Sequence, residues 1–232
     1  MITIILAEPE NDGNIGAIAR AMKNFGMKNL VLINPKCDHL SEDAIKRSKH
    51  AKDVLRKAKV CKFEALDDFD VLVGTTAIIG SDYNITRLPI TPKELAQNIN
   101  PKADVGILIG REGDGLNEKE LNRCDFIVSI PSSKEYPTLN ISHACAIIFY
   151  ELFQKSDSGK NNEKINPATK KDKDAAQKII DEILDRLDFT TQHKKETQKK
   201  VWKRVLAKSF LAKREYMVIM GFFKKVLEKM KK

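Results

Sequence analysis

The chain alternates short apolar runs with amphipathic stretches. Residues 2–6 (ITIIL) are an apolar, β-branched run brought to an end by Glu8, Pro9 and Asn11, and they read as a buried strand. Residues 14–25 place Ile15, Ile18, Met22 and Phe25 at helical spacing, with Gly26 as the stop. A second strand spans 29–33 and closes on Asn34-Pro35. A helix rich in lysine and arginine is expected over 41–58, then a strand over 70–75. Thr91 and Pro92 supply the cap and the first helical residue of a helix ending near Asn98. Residues 105–109 (VGILI) and 126–130 read as strands, and 140–153 as a long apolar helix. Strands apolar on both faces, alternating with helices, predict an α/β fold around a mostly parallel sheet.

From 156 to 174 the chain turns polar and carries no aromatic residue, which predicts a linker. Apolar positions then return at helical spacing: Ile179, Ile180, Ile183, Leu184 and Leu187, a second group with Trp202, Val205, Leu206 and Phe210, and a third with Tyr216, Ile219, Phe222, Phe223, Val226 and Leu227. The expected organisation is a domain over 1–155, a polar linker over 156–174 and a small helical C-terminal extension over 175–232.

The distribution of charge sharpens this division. The 232 residues hold 41 Lys/Arg and 32 Asp/Glu, a formal charge of +9. Residues 1–155 contain 20 basic and 21 acidic residues, and 156–232 contain 21 and 11. The positive excess therefore lies on the extension. A basic segment beside a neutral domain points to a polyanion, either nucleic acid or an anionic membrane surface, although a merely solvated surface accounts for the charge equally well. The four cysteines are widely spaced, with no Cys-x-x-Cys pair, so reduced, packed thiols are expected rather than a metal site or disulfides. No apolar run approaches the roughly 20 residues of a membrane span, and the start lacks the basic region of a signal peptide. A cytoplasmic location is expected, with no membrane partner.

Ligands of open α/β folds gather at the carboxyl ends of strands, and three segments there are unusual. In ENDGNIGAIARAMKNFG (10–26) a polar turn runs straight into a helix whose free N–H groups and dipole suit a phosphate. Gly16, Ala17, Ala19 and Ala21 let a backbone or a ligand come close. Arg20 lies two residues from Ile18, about 200° round the helix, and projects away from the apolar face; a surface arginine on a well-packed helix also accounts for it. In LIGREGDGLNEKEL (108–121) an apolar strand enters a loop with Gly110, Gly113 and Gly115, then a capped helix. The pattern is neither the dinucleotide fingerprint nor a Walker motif, and a plain strand–helix connection also explains it. In IPSSKEYPTLNISHACAI (130–147) a long polar loop leads to a helix carrying Thr138, Asn140 and Ser142 near its start. Capping alone explains Asn140; it does not explain the loop.

Together, in this order and spacing, these segments resemble the three motifs of the SPOUT class of RNA ribose 2′-O-methyltransferases. Asn14, Gly16 and Arg20 look like the first motif; Gly110, Glu112, Gly115 and Leu116 like the second; Pro131 with Thr138, Leu139, Asn140, Ile141 and Ser142 like the third. Thr138 replaces the commoner serine and keeps the hydroxyl. EYPTLN in the third motif and the terminal LAKREYMVIMGFFKKV are similar to the tRNA (cytidine/uridine-32) 2′-O-methyltransferase subgroup. The resemblance implies a Rossmann-like sheet with a C-terminal trefoil knot, a homodimer, and tRNA as substrate. It implies S-adenosylmethionine as methyl donor, held by Thr75, Thr76, Ala77, Gly110, Gly115, Leu116, Ile130, Thr138, Leu139, Asn140 and Ser142, and no metal. Arg20, Asn14, Glu112 and Asn140 are the implied catalytic residues, with Arg20 acting on the methyl donor of the other subunit. Arginine holds its proton at neutral pH, so Arg20 is expected to clamp a phosphate or a developing alkoxide rather than to act as a base. Two alternatives remain: a ribosomal RNA 2′-O-methyltransferase and a non-catalytic RNA-binding module of the same fold. The lysines and arginines of 46–57 form either a second candidate phosphate surface or a solvated face with nearby acids, and Trp202 either packs the extension or stacks on an unpaired base of the anticodon loop.

Overall fold

The computed structural model describes residues 1–77, 89–100, 102–157, 168–208 and 211–230. The chain divides into two compact units, Met1–Ile99 with Asp104–Lys160, and Asn100–Ala103 with Asn161–Lys232. In the first, the apolar runs become β1 (Ile2–Ala7), β2 (Asn29–Ile33), β3 (Lys59–Cys61), β4 (Val71–Thr75), β5 (Val105–Ile109) and β6 (Phe126–Val128). They pair in the order β3-β2-β1-β5-β4-β6, every pair parallel. β5 is buried at all its positions, which is why its sequence lacks polar alternation. On one face Ile5, Leu72, Leu108 and Ile127 pack with Leu66, Leu116 and Leu121. Ile4 and Leu6, equally buried, alternate to the other face.

Helix α1 (Asp12–Asn24) starts where the Asn11 side chain accepts the Asn14 N–H at 3.0 Å, satisfying one of its free donors. It buries Ile15, Ile18, Ala19 and Met22. It stops at Gly26, whose φ is +69°. There the Gly26 N–H donates to the Lys23 carbonyl at 3.3 Å and the Met27 N–H to the Met22 carbonyl at 2.8 Å, a left-handed cap that glycine adopts without strain. Helix α4 (Pro92–Asn98) has the expected Thr91 cap, and α5 (Glu118–Arg123) and α6 (Ile141–Asp157) complete the unit.

Three elements differ from expectation. The helix expected over 41–58 is broken into α2 (Glu42–Ser48), a 3-10 turn (Lys49–Ala51) and α3 (Lys52–Arg56), with Lys49 at φ +52° and ψ −111°. β3 is too short for periodicity to show, and as an edge strand it leaves Val60 exposed. The strand expected over 126–130 ends at Val128, because the Ser129 N–H turns to the Ile90 carbonyl at 3.0 Å.

The second unit is a helical cluster of α7 (Lys170–Arg186), α8 (Gln192–Lys208) and α9 (Lys213–Met230). α7 begins inside the stretch expected as linker. Thr169 and Asp172 close a capping box, Asp172 N–H to Thr169 Oγ1 at 3.3 Å and Thr169 N–H to Asp172 Oδ2 at 2.9 Å, and the polar first turn is a solvated one rather than a loop. Ala176, Ile180, Leu184, Leu206 and Tyr216 form its core, with Trp202 and Phe223 against it. The Trp202 and Phe223 rings meet edge to face at 5.4 Å, so Trp202 packs the extension. Residues 158–167 and Phe210 lie outside the described residues.

Candidate active site

Chain order reverses between β1 and β5, with β2 and β3 on one side and β4 and β6 on the other. The carboxyl ends at such a reversal form the natural crevice of an open α/β sheet. Glu112, just past β5, bridges it. Its carboxylate accepts the backbone N–H groups of Glu10 and Asn11 at 3.1 and 3.2 Å and the Asn14 amide at 3.2 Å. Asn140 Nδ2 donates to Asn14 Oδ1 at 3.4 Å. Asn140 Oδ1 in turn accepts the N–H and hydroxyl of Ser142 at 2.9 and 2.7 Å. Four expected site residues (Asn14, Glu112, Asn140 and Ser142), one or two from each motif, thus share one hydrogen-bonded chain.

Loop 110–115 is tightly closed. The Arg111 N–H donates to the Gly115 carbonyl at 3.2 Å and the Gly115 N–H to the Arg111 carbonyl at 3.1 Å. A Cβ on Gly110 would collide with the Gly115 and Leu116 backbone, so only glycine fits. The Leu116 side chain is buried in the core below; it offers a ligand its backbone alone. Gly16 likewise serves packing: a Cβ there would strike the Ala44 carbonyl of α2.

Sequence pattern does not single out Arg111, yet it anchors this loop. Its guanidinium binds Glu120 through Nη1 at 3.0 Å and Nη2 at 2.7 Å, Glu8 through Nε at 2.8 Å, and the Gly115 carbonyl at 3.0 Å. The Arg111 hydrogen bond holds the Glu8 carboxyl below its ordinary value of 4.5, outweighing partial burial. Its neighbour Glu112 falls in a motif that the sequence singles out; Arg111 is marked only by its contact with Glu8, 103 positions away. Near Glu112, burial first and then the charges of Asp12 and Glu112 push the Cys37 thiol up to about 11.

Thr75 ends β4 and its hydroxyl donates to the Leu108 carbonyl at 3.2 Å; the Thr76 N–H donates to the Val128 carbonyl at 3.0 Å. Ala77 and Thr138 are exposed, and Ile130 and Leu139 half-buried. Arg20 is not brought into the Glu112 cluster. It sits six residues beyond Asn14 on α1, about 9 Å along the axis and about 120° round it. Exposed there, it lines a cleft with Lys46 and Lys49 of the α2 segment. Among the described residues, no group of His, Cys, Asp and Glu is arranged to hold a metal, and no helix is long and apolar enough to cross a membrane.

The model of the SpoU rRNA Methylase family matches residues 1–150, and the chain belongs to that family as an RNA methyltransferase. It is 39% identical over 228 residues to the tRNA (cytidine-2'-O-)-methyltransferase TrmJ of Methanocaldococcus jannaschii, covering 97% of this chain and 99% of that protein. Among solved structures, TrmJ from Z. mobilis ZM4 superposes with a TM-score of 0.67 at 27% identity, over 97% of this chain and 99% of that one. The SpoU methyltransferase AviRb from Streptomyces viridochromogenes, solved in complex with the cofactor AdoMet, shares the fold at a TM-score of 0.55 and 23% identity, over 69% of this chain and 59% of that one.

Proposed function

We propose that this chain transfers a methyl group from S-adenosylmethionine to a ribose 2′-hydroxyl in the tRNA anticodon loop, at nucleotide 32, as a cytoplasmic homodimer. The observation that carries this reading is the Glu112-centred chain joining all three motifs at the strand reversal, in a protein alignable over nearly its whole length with a tRNA 2′-O-methyltransferase. The crevice fits the donor by its chemistry. In this reading half-buried Ile130 and Leu139 supply the apolar contacts that adenine needs. Thr75, Thr76, Ala77, Gly110, Gly115, Leu116, Thr138, Asn140 and Ser142 then supply hydroxyls and backbone groups to the donor. Once bound, S-adenosylmethionine supplies an electrophilic methyl on a sulfonium. The trefoil knot belongs to this reading, supported by β6 pairing beside β4 before the chain enters α6.

The chain's own residues then have separate tasks. Glu112 pins the loop after β1 to the loop after β5, and Asn14 passes that order to Asn140 and the start of α6. Holding the ribose oxygen in line with the methyl supplies up to about 7–11 kcal/mol of the barrier. Arg20 meets the negative charge, on a phosphate or on the developing 2′-oxyanion. Its distance from the Glu112 cluster supports action in the partner subunit's site. A second copy is also supported by an apolar stripe: Ile147, Tyr150 and Phe153 recur every third residue on α6, 38–47% exposed. Phe25 of α1 lies against that stripe, with ring centroids 6.1 and 6.0 Å from Tyr150 and Phe153.

The test is methyl transfer from labelled S-adenosylmethionine to tRNA transcripts with ribose or 2′-deoxyribose at position 32. Label on the first and none on the second is expected. Label only on ribosomal RNA, or no donor binding by calorimetry, would replace the reading with one of its two alternatives. Arg20→Ala should abolish transfer and leave donor affinity within about twofold of wild type; turnover at the wild-type rate would remove Arg20 from the mechanism.

A further inference from the structure

The break between α2 and α3 has a consequence for substrate binding. Lys49 sits at this break with φ +52° and ψ −111°, a backbone region where glycine is relaxed and a lysine strained. Strain of this kind gathers at functional sites. Ser48 beside it is fully buried, its hydroxyl donating to the Ile45 carbonyl at 2.9 Å, so the break is held from within. The turn places Lys49 opposite α1, where Ala17, Arg20, Lys23 and Asn24 follow helical spacing. An open cleft of about 450 Å³ lies between them, lined by Arg20, Lys46 and Lys49 with Ala17, Asp43 and Arg47. It adjoins a second of about 400 Å³ that Arg20 and Lys49 also line.

The charges here are unequal. Lys23 is neutralised by Asp53 at 2.6 Å and Arg47 by Asp43 at 3.2 Å. Glu42 lines the neighbouring outer cleft with Lys46 and Lys49. The side chains of Arg20, Lys46 and Lys49 make none of the ion pairs or hydrogen bonds found among the described residues, and all three residues line the same 450 Å³ cleft. Three uncompensated cations around one open cleft suit a phosphodiester.

We propose that Lys46 and the strained Lys49 form, with Arg20, the seat for an RNA phosphodiester adjacent to the target ribose. The seat rests on the tRNA methyltransferase reading for the identity of its polyanion. It gives α2 and the turn after it a task in the reaction: Lys46 and Lys49 hold the strand while Arg20 meets the reacting nucleotide.

The test compares wild-type full-length protein with K46Q/K49Q and with K49G, using the tRNA transcripts above. Filter binding should show the Kd of K46Q/K49Q for tRNA rising about tenfold. The slope of log K against log salt should be shallower by about 1.4, because two single-strand phosphates are no longer neutralised. KM for tRNA should rise with Kd, and calorimetry should show donor affinity at the wild-type value. K49G separates charge from fold: its melting temperature should rise, because glycine relaxes the turn, while tRNA binding weakens. Wild-type Kd and salt slope in K46Q/K49Q would overturn the proposal. So would tRNA binding that falls only in step with melting temperature or donor affinity. If the wild-type protein binds tRNA without methylating it, the proposed function fails while the slope still decides the seat; if it binds no tRNA, both fail.

Discussion

The Arg111 side chain shows how one residue sets the geometry of the site. It is 13% exposed, and its carboxylate partners Glu8 and Glu120 are 23% and 7% exposed. Removing it leaves two carboxylates facing each other in a poorly solvated place. Breaking such a pair is far more damaging than the pair is stabilising. Arg111→Ala should lower stability by about 3 kcal/mol, read by urea denaturation, and donor affinity should fall because loop 110–115 loses its clamp. The same pair carries a pH dependence. Glu8 is held below 4.5 in the folded chain by Arg111, so its contribution is complete above that value and is lost as pH falls below it. Melting temperature followed from pH 7 to pH 3 should drop more steeply for wild type than for Arg111→Ala. Equal slopes would show that the pair does not couple to protonation.

At the scale of elements, periodicity located helices and strands better than it located their interruptions. The 41–58 stretch is helical in character, yet one lysine with positive φ divides it; nothing in the local pattern of Ser48-Lys49-His50 marks a break, because the buried Ser48 and the packing against α1 hold it. In the second unit the reverse holds. Residues 170–174 are polar enough to read as linker, but Thr169 and Asp172 carry a capping box that the composition hides. Thr169→Ala removes an accepted N–H and should cost about 1 kcal/mol in the helical unit, seen by hydrogen exchange as faster opening of the first turn of α7. Unchanged protection there would mean that the turn is held by packing alone.

At the scale of the whole molecule, positive charge is concentrated in the last third of the chain. Residues 156–232 carry 21 basic against 11 acidic residues, and the described part of the second unit has an apolar core of its own. The first unit carries the candidate site and a nearly balanced charge. Deleting 156–232 should therefore weaken tRNA binding and flatten its salt dependence, while donor binding measured by calorimetry is retained. Loss of donor binding in that deletion would tie the extension to the catalytic crevice rather than to RNA.

The α/β class, the parallel strands and the three motif segments were legible in the sequence because each is a local property: burial on both faces shows as an unbroken apolar run, and a turn or cap shows in its own residues. What only the tertiary structure decided is which of those segments meet. Asn14 reaches Glu112 across 98 positions and Asn140 across 126, through crossovers whose ends no periodicity records. The fold also parted Arg20 from that cluster and set it beside Lys46 and Lys49. Hydrogen bonds of about 3 Å between distant loops are set by how strands order themselves in the sheet, and that order is fixed by the packing of the whole layer rather than by any one stretch of chain.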